Sequence, residues 1–201
     1  MSKNLDGLRV AALVTDGFEE SELNEPVKAL REANASVTVV APHDGEIKGK
    51  SHGQGGLPVS VDRTLEQVTA DDFDALLLPG GVKNPDTLRT DPRAVEMVRT
   101  MFASGKPIGA ICHAPWMLVE ADVVRGLRLT SWPSLKTDIR NAGGEWVDEP
   151  VVVERGLVTS RKPDDIPQFN AKIIEEFGEG LHARQPVGAA TGGRDGDTST
   201  L

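Results

Sequence analysis

Cys112 is the only cysteine among 201 residues, and the chain changes character abruptly at it. Apolar Pro107-Ile108-Gly109-Ala110-Ile111 runs up to it; His113-Ala114-Pro115 and a helix-type stretch, Trp116-Met117-Leu118-Val119-Glu120, follow. A buried strand that breaks at once into a helix makes a sharp turn. Such a turn exposes the residue at the bend and aims helix N-terminal N–H groups at it, which is how a nucleophile elbow is built. Those dipoles favour thiolate over thiol, so a low-pKa nucleophile is expected at Cys112. The plainer alternative, and the commoner one for a lone free cysteine, is a small buried hydrophobe.

Two other segments carry suitable groups. Asp16-Gly17-Phe18-Glu19-Glu20-Ser21-Glu22 places several carboxylates at a helix start, where complementing the helix dipole accounts for most of them. Gly80-Gly81 follows a short apolar strand; backbone N–H groups there can approach a ligand closely and serve as an oxyanion hole, although Gly-Gly after a strand is often only a turn.

The elements that must position these groups alternate along the chain. Strands are expected at 8–15, 36–41, 75–78, 107–111, 127–132, 151–153 and 157–160, and helices at 21–34, 134–141 and 163–177. Another helix opens at Asp91-Pro92, with Asp91 as cap and Pro92 in the first turn, and stops at Gly105. Residues 42–58, rich in Gly, His and Lys, read as an irregular excursion. The alternation implies an α/β fold, a flavodoxin-like three-layer sandwich with a mostly parallel sheet. Ligands then sit beyond the carboxyl ends of the strands, where the loop after Thr15, the Gly80-Gly81 turn and the elbow converge.

Composition suits one domain: 38% hydrophobic and 26% charged over 201 residues. A single domain is expected over 1–177. The stretch 178–201, dominated by Gly, Ala, Thr and Asp, is expected to be a disordered tail. One cysteine excludes an intramolecular disulfide, and the N-terminal apolar stretch is too short for a signal peptide or a membrane span; the reducing cytoplasm is the expected compartment, with no membrane partner. A net charge of −9 opposes binding to phosphate backbones, so no strong nucleic-acid binding is expected. His43, His52, His113 and His182 have no ligand-like spacing with one another or with Cys112, so no metal is expected.

Taken together, Asp16–Glu22, the strand and turn ending in Gly80-Gly81, Asn84-Pro85-Asp86, Ala110-Ile111-Cys112-His113-Ala114-Pro115, Thr130-Ser131-Trp132-Pro133, Asn141–Asp148 and Thr159-Ser160-Arg161 stand in a characteristic order. The chain resembles the PfpI (ThiJ/PfpI) family of intracellular cysteine peptidases and sugar-adduct deglycases, within the class I glutamine amidotransferase-like superfamily. The resemblance implies Cys112 as nucleophile, His113 as its neighbouring base, and Glu22 as the acid that approaches the sulfur. It implies Gly80, Gly81 and the His113 N–H as oxyanion- or substrate-binding groups. Asp86 matches a third catalytic member that in several relatives reaches the histidine across a subunit interface, so a homodimer or larger homo-oligomer is implied. Asp86 is one methylene shorter than the Glu of well-known peptidase members. By the same resemblance Trp132 and Arg161 border the pocket. A glutaminase triad is excluded by the sequence: the only histidine after His113 is His182, with no Glu behind it.

The expected chemistry is that of a cofactor-independent, cysteine-dependent stress-response enzyme. Thiolate attack on an α-oxoaldehyde, or on a glycation adduct, forms a hemithioacetal that a protonated Glu22 can assist. Peptide hydrolysis ranks second, because an amine leaving group needs a well-oriented histidine acid. A non-enzymatic redox-responsive stress protein would use the same thiol.

Overall fold

The computed structural model describes residues 3–51 and 54–183. In chain order the strands are β1 (Arg9–Leu13), β2 (Ser36–Ala41), β3 (Glu46–Ser51), β4 (Gln54–Ser60), β5 (Arg63–Thr64), β6 (Ala75–Leu78), β7 (Ile108–Ile111), β8 (Arg128–Leu129), β9 (Glu145–Trp146), β10 (Val151–Glu154) and β11 (Leu157–Ser160). The helices are α1 (Glu20–Glu32), α2 (Lys83–Leu88), α3 (Pro92–Ala103), α4 (Pro115–Glu120), α5 (Lys136–Asn141) and α6 (Ile166–Glu179).

Seven strands form one sheet in the order β10-β11-β7-β6-β1-β2-β5, parallel except for the β10–β11 pair. Because side chains alternate along a strand, each central strand feeds two cores. Val10, Ala12, Ala75 and Leu77 face α1 and α6, with Leu23, Leu30, Phe169 and Ile173. Ala11, Leu13, Leu76 and Leu78 face α3, α4 and α5, with Val98, Met117 and Ile139. The result is the flavodoxin-like three-layer sandwich. Fully burying one of the larger side chains, such as Phe169 or Phe177, contributes roughly 1.5–3 kcal/mol. Gly109 in β7 lets α6 settle close, since a Cβ there would meet Ile173 and Phe169.

Asp91 caps α3 as expected, accepting the Arg93 N–H at 2.9 Å ahead of Pro92, and Gly105 ends the segment with φ 74°. Three expectations need correction. The excursion expected at 42–58 instead forms most of an antiparallel hairpin, β3–β4, which runs on to Ser60. Its strands are fastened to the first loop: Gly17 N–H donates to Lys48 O, Lys50 N–H to Phe18 O, and Leu57 N–H to Glu20 Oε1. Tertiary hydrogen bonds hold this hairpin where composition alone reads as loop. The strand expected at 127–132 shrinks to β8, which pairs only with β9, off the main sheet. Finally, α6 continues to Glu179, two residues past its expected end, and His182 N–H donates to Gly105 O at 2.8 Å. The rest of the expected tail, from 184, lies outside the described residues. No helix among the described residues is long and apolar enough to cross a membrane.

Candidate active site

The segments that leave β1, β6 and β7 wall a cleft of about 570 Å³. Cys112 follows β7 directly with φ 65°, in the left-handed region. A residue with a side chain holds that conformation at a strain of roughly 1–3 kcal/mol and needs its surroundings to impose it. Here the Cys112 N–H donates to Ser160 O at 3.0 Å and the Cys112 carbonyl accepts the Trp132 N–H at 2.8 Å. The bend also breaks the alternation of β7: Ile111 and Cys112 both join the core on the α1/α6 side. That is the side on which Glu22 sits.

Glu22 lies in the first turn of α1 and is fully buried. Its Oε2 accepts the Gly81 N–H at 3.1 Å, while Oε1 is buried with no hydrogen-bond acceptor or donor of ordinary geometry beside it. Burial raises its pKa to about 7, helped by the charge of Glu19 and opposed by the Cys112 thiol and the N–H groups of Gly81 and Gly80. Glu22 therefore divides between its acid and carboxylate forms near neutral pH and is a carboxylic acid beside the sulfur below it. Gly80 is what allows this closeness. A Cβ at that position would collide with Glu22 Oε2, Cys112 Cβ and the Ile111 carbonyl.

The thiol itself departs from expectation. Burial pushes the Cys112 pKa up, and the charge of Glu22, when ionised, pushes it further; the N–H groups of Gly81 and His113 pull the other way. Cys112 is only 6% exposed, so desolvation outweighs the dipoles that the sequence suggested. Losing the Glu22 proton disfavours the thiolate further, because two buried anions in contact repel strongly.

His113 Nδ1 stands 3.1 Å from the Cys112 sulfur, and Nε2 stands 3.3 Å from Ser134 Oγ. Its ring stacks on Trp132 at 5.7 Å and tilts against Trp116 at 5.4 Å. Burial lowers its pKa to about 4, so it is a neutral imidazole at physiological pH. Asp86 is exposed on α2 and lines the same cleft, yet among the described residues no hydrogen bond joins it to His113. Within one chain, the position beyond Nε2 belongs to a hydroxyl.

The structure thus brings Glu22, Gly81, Cys112, His113 and Asp86 to one cleft, with Gly80 packed between Glu22 and Cys112. Trp132 borders it as well, whereas Arg161 forks onto Asp165 and Asp148 and is not a lining residue. Glu20 anchors the hairpin, and His43 pairs with Asp16 at 3.3 Å; His52 lies outside the described residues. Sequence reasoning missed Lys50, which the hairpin delivers to the cleft, and Ser134. It also took Asn84 only as part of a motif, although a polar residue that is fully buried and bonded to both loops is structurally prominent. At the opposite end of the sheet, Glu176, Glu179 and His182 bring one ligand atom each within 4.8 Å of one another, the group among the described residues that could hold a cation.

Comparison with known proteins places this geometry. Protein/nucleic acid deglycase 2 of Escherichia coli K12 is 44% identical over 172 residues, covering 85% of this chain and 98% of the relative. General stress protein 18 of Bacillus subtilis 168 is 45% identical over 170 residues, 84% of this chain and 96% of the relative. Among solved structures, Drosophila melanogaster DJ-1beta superposes with a TM-score of 0.77 at 32% identity, covering 89% of this chain and 91% of that one. The family model of the DJ-1/PfpI family matches residues 8–176, from the first strand of the sheet to the last turns of α6, and the chain belongs to that family.

Proposed function

We propose that this protein is a cofactor-independent, cysteine-dependent hydrolase of the stress response, acting in the cytoplasm on α-oxoaldehydes or their glycation adducts. The observation that carries this reading is the buried Glu22 carboxyl, held by the Gly81 N–H beside Cys112 with its pKa raised to about 7. A deglycase name among relatives 44% identical supports it.

The chemistry follows from the neighbours. As Cys112 sulfur attacks the aldehyde carbon, its thiol proton passes to the Glu22 carboxylate, the C=O π bond breaks towards oxygen, and that oxygen takes the proton from Glu22, giving a hemithioacetal and leaving Glu22 ionised again. Ionised Glu22 and neutral His113 then move the carbon-bound proton to the adjacent carbonyl carbon, leaving a thioester with an α-hydroxyl. Water cleaves the thioester, returns the thiol, and yields an α-hydroxy acid; the sum is α-oxoaldehyde plus water. With a glycated amine or thiol, the adduct carbon is already tetrahedral. Glu22 protonates the leaving nitrogen or sulfur as its bond to carbon breaks, and the adduct's hydroxyl returns a proton to Glu22 as the C=O re-forms. The amine or thiol leaves repaired, while the freed aldehyde carbon takes the Cys112 sulfur as above. The N–H groups of Gly81 and His113, both directed at the sulfur, are placed to stabilise oxyanions formed there.

Peptide hydrolysis asks more of His113, which must become an imidazolium and protonate an amine. A hydroxyl at Nε2 and a pKa near 4 oppose that within a single chain. We infer that the working unit is a homodimer or larger homo-oligomer in which Asp86 serves a neighbouring copy's His113. Turnover of methylglyoxal without glutathione, retained by the wild type and lost in Cys112→Ala, tests the reading.

A further inference from the structure

Pairing between β1 and β6 ends at Ala12 and Leu77, short of the cleft. Beyond it, one fully buried amide joins the two loops. Asn84 Oδ1 accepts the Thr15 N–H at 2.8 Å, and Nδ2 donates to Pro79 O at 2.8 Å and Gly80 O at 3.1 Å. Thr15 leads into the segment that carries Glu22; Pro79 and Gly80 lead into Gly81. The 3.1 Å contact between Glu22 Oε2 and the Gly81 N–H spans these two segments. Consecutive glycines have the greatest conformational freedom of any dipeptide, so the Gly81 N–H keeps its place only if something outside the turn restrains it.

We propose that Asn84 is a positioning residue: by tying Thr15 to the Pro79 and Gly80 carbonyls, its amide sets the spacing of the Glu22 carboxyl, the Gly81 N–H and the Cys112 sulfur, and so the reactivity of that pair. This rests on the reading of Cys112 and Glu22 as the reacting groups. Asparagine is demanded because the site needs one acceptor and two donors from a short, planar side chain. Asn84→Asp keeps the acceptor for Thr15 but turns an oxygen towards two carbonyls. Asn84→Ser is too short to reach all three partners.

The test measures the pH dependence of Cys112 alkylation by iodoacetamide in both variants, alongside turnover of methylglyoxal. The alkylation midpoint is expected to move by about 0.5 pH unit or more, and kcat to fall about 10–100-fold with a smaller change in KM. Val98→Ala, a fully buried truncation in α3 away from the cleft, is the control for lost stability: it lowers the melting temperature and leaves the alkylation profile alone. Asn84 variants that behave like Val98→Ala overturn the proposal. Should they fail to fold, the wild type decides by NMR. The Asn84 side-chain amide and the Thr15 N–H should exchange slowly with solvent and shift when Cys112 is alkylated; exchange as fast as at an exposed asparagine overturns the proposal. Alkylation reads the thiol and not turnover. A shifted profile in a protein inactive towards methylglyoxal would therefore refute the proposed substrate class and leave the positioning role standing.

Discussion

Glu22→Gln separates the carboxyl's charge from its shape. Glutamine keeps an oxygen for the Gly81 N–H but cannot ionise. In the wild type the folded state holds the Glu22 proton up to about pH 7, whereas the unfolded chain loses it near the ordinary carboxyl value of 4.5. Between those values the folded state binds one proton more, so wild-type stability falls by about 1.4 kcal/mol per pH unit from this group alone. The sign is that of a raised pKa: the contribution is fully present below 4.5 and gone above 7. Over the window it amounts to about 3 kcal/mol, undiminished by solvent screening because Glu22 is fully buried. Urea unfolding of both proteins at pH 5, 6, 7 and 8 reads it directly. The stability of Glu22→Gln relative to wild type should climb across the series by an amount of that order, while turnover drops by about 10²–10³-fold for want of the proton. A difference that does not vary with pH would mean that Glu22 titrates normally, and the proton-donor role would fall with it.

Two further expectations follow. His113, with its pKa lowered to about 4 by burial, should show a flat imidazole proton shift in NMR from pH 9 down to 5. Its stabilising contribution is present above the unfolded pKa and is lost as pH falls through the folded one; a midpoint near 6.5 would contradict the buried, neutral ring. For the proposed oligomer, Asp86→Asn and Cys112→Ala proteins allowed to exchange subunits should regain activity that neither has alone. No recovery in demonstrably mixed oligomers, with activity in a matched wild-type mixture, would place Asp86 in its own chain's site or outside the chemistry.

What could be read from the chain was what local rules dictate. Asp91-Pro92 announces α3, and the apolar run broken at Cys112 announces a strand and a bend, because caps, prolines and periodicity act over a few residues. Family resemblance singled out Glu22 from Glu19 and Glu20, and the structure places it against Gly81. Other features depend on contacts distant in sequence. The β3–β4 hairpin has no clear alternation and is held by Asp16, Phe18 and Glu20. The threefold grip of Asn84 joins residues up to 69 positions apart. The thiol's raised pKa was also hidden, since sequence reveals the dipoles near a cysteine but not the depth at which it is buried.

The most direct measurement is purified protein incubated with methylglyoxal in the absence of glutathione, with aldehyde loss and α-hydroxy acid formation followed together. The wild type should convert one to the other mole for mole, and Cys112→Ala and Cys112→Ser should do neither while keeping the wild-type circular dichroism spectrum. Full activity in the alanine variant, or aldehyde loss in the wild type with no hydroxy acid formed, would contradict catalysis by the Cys112 thiol.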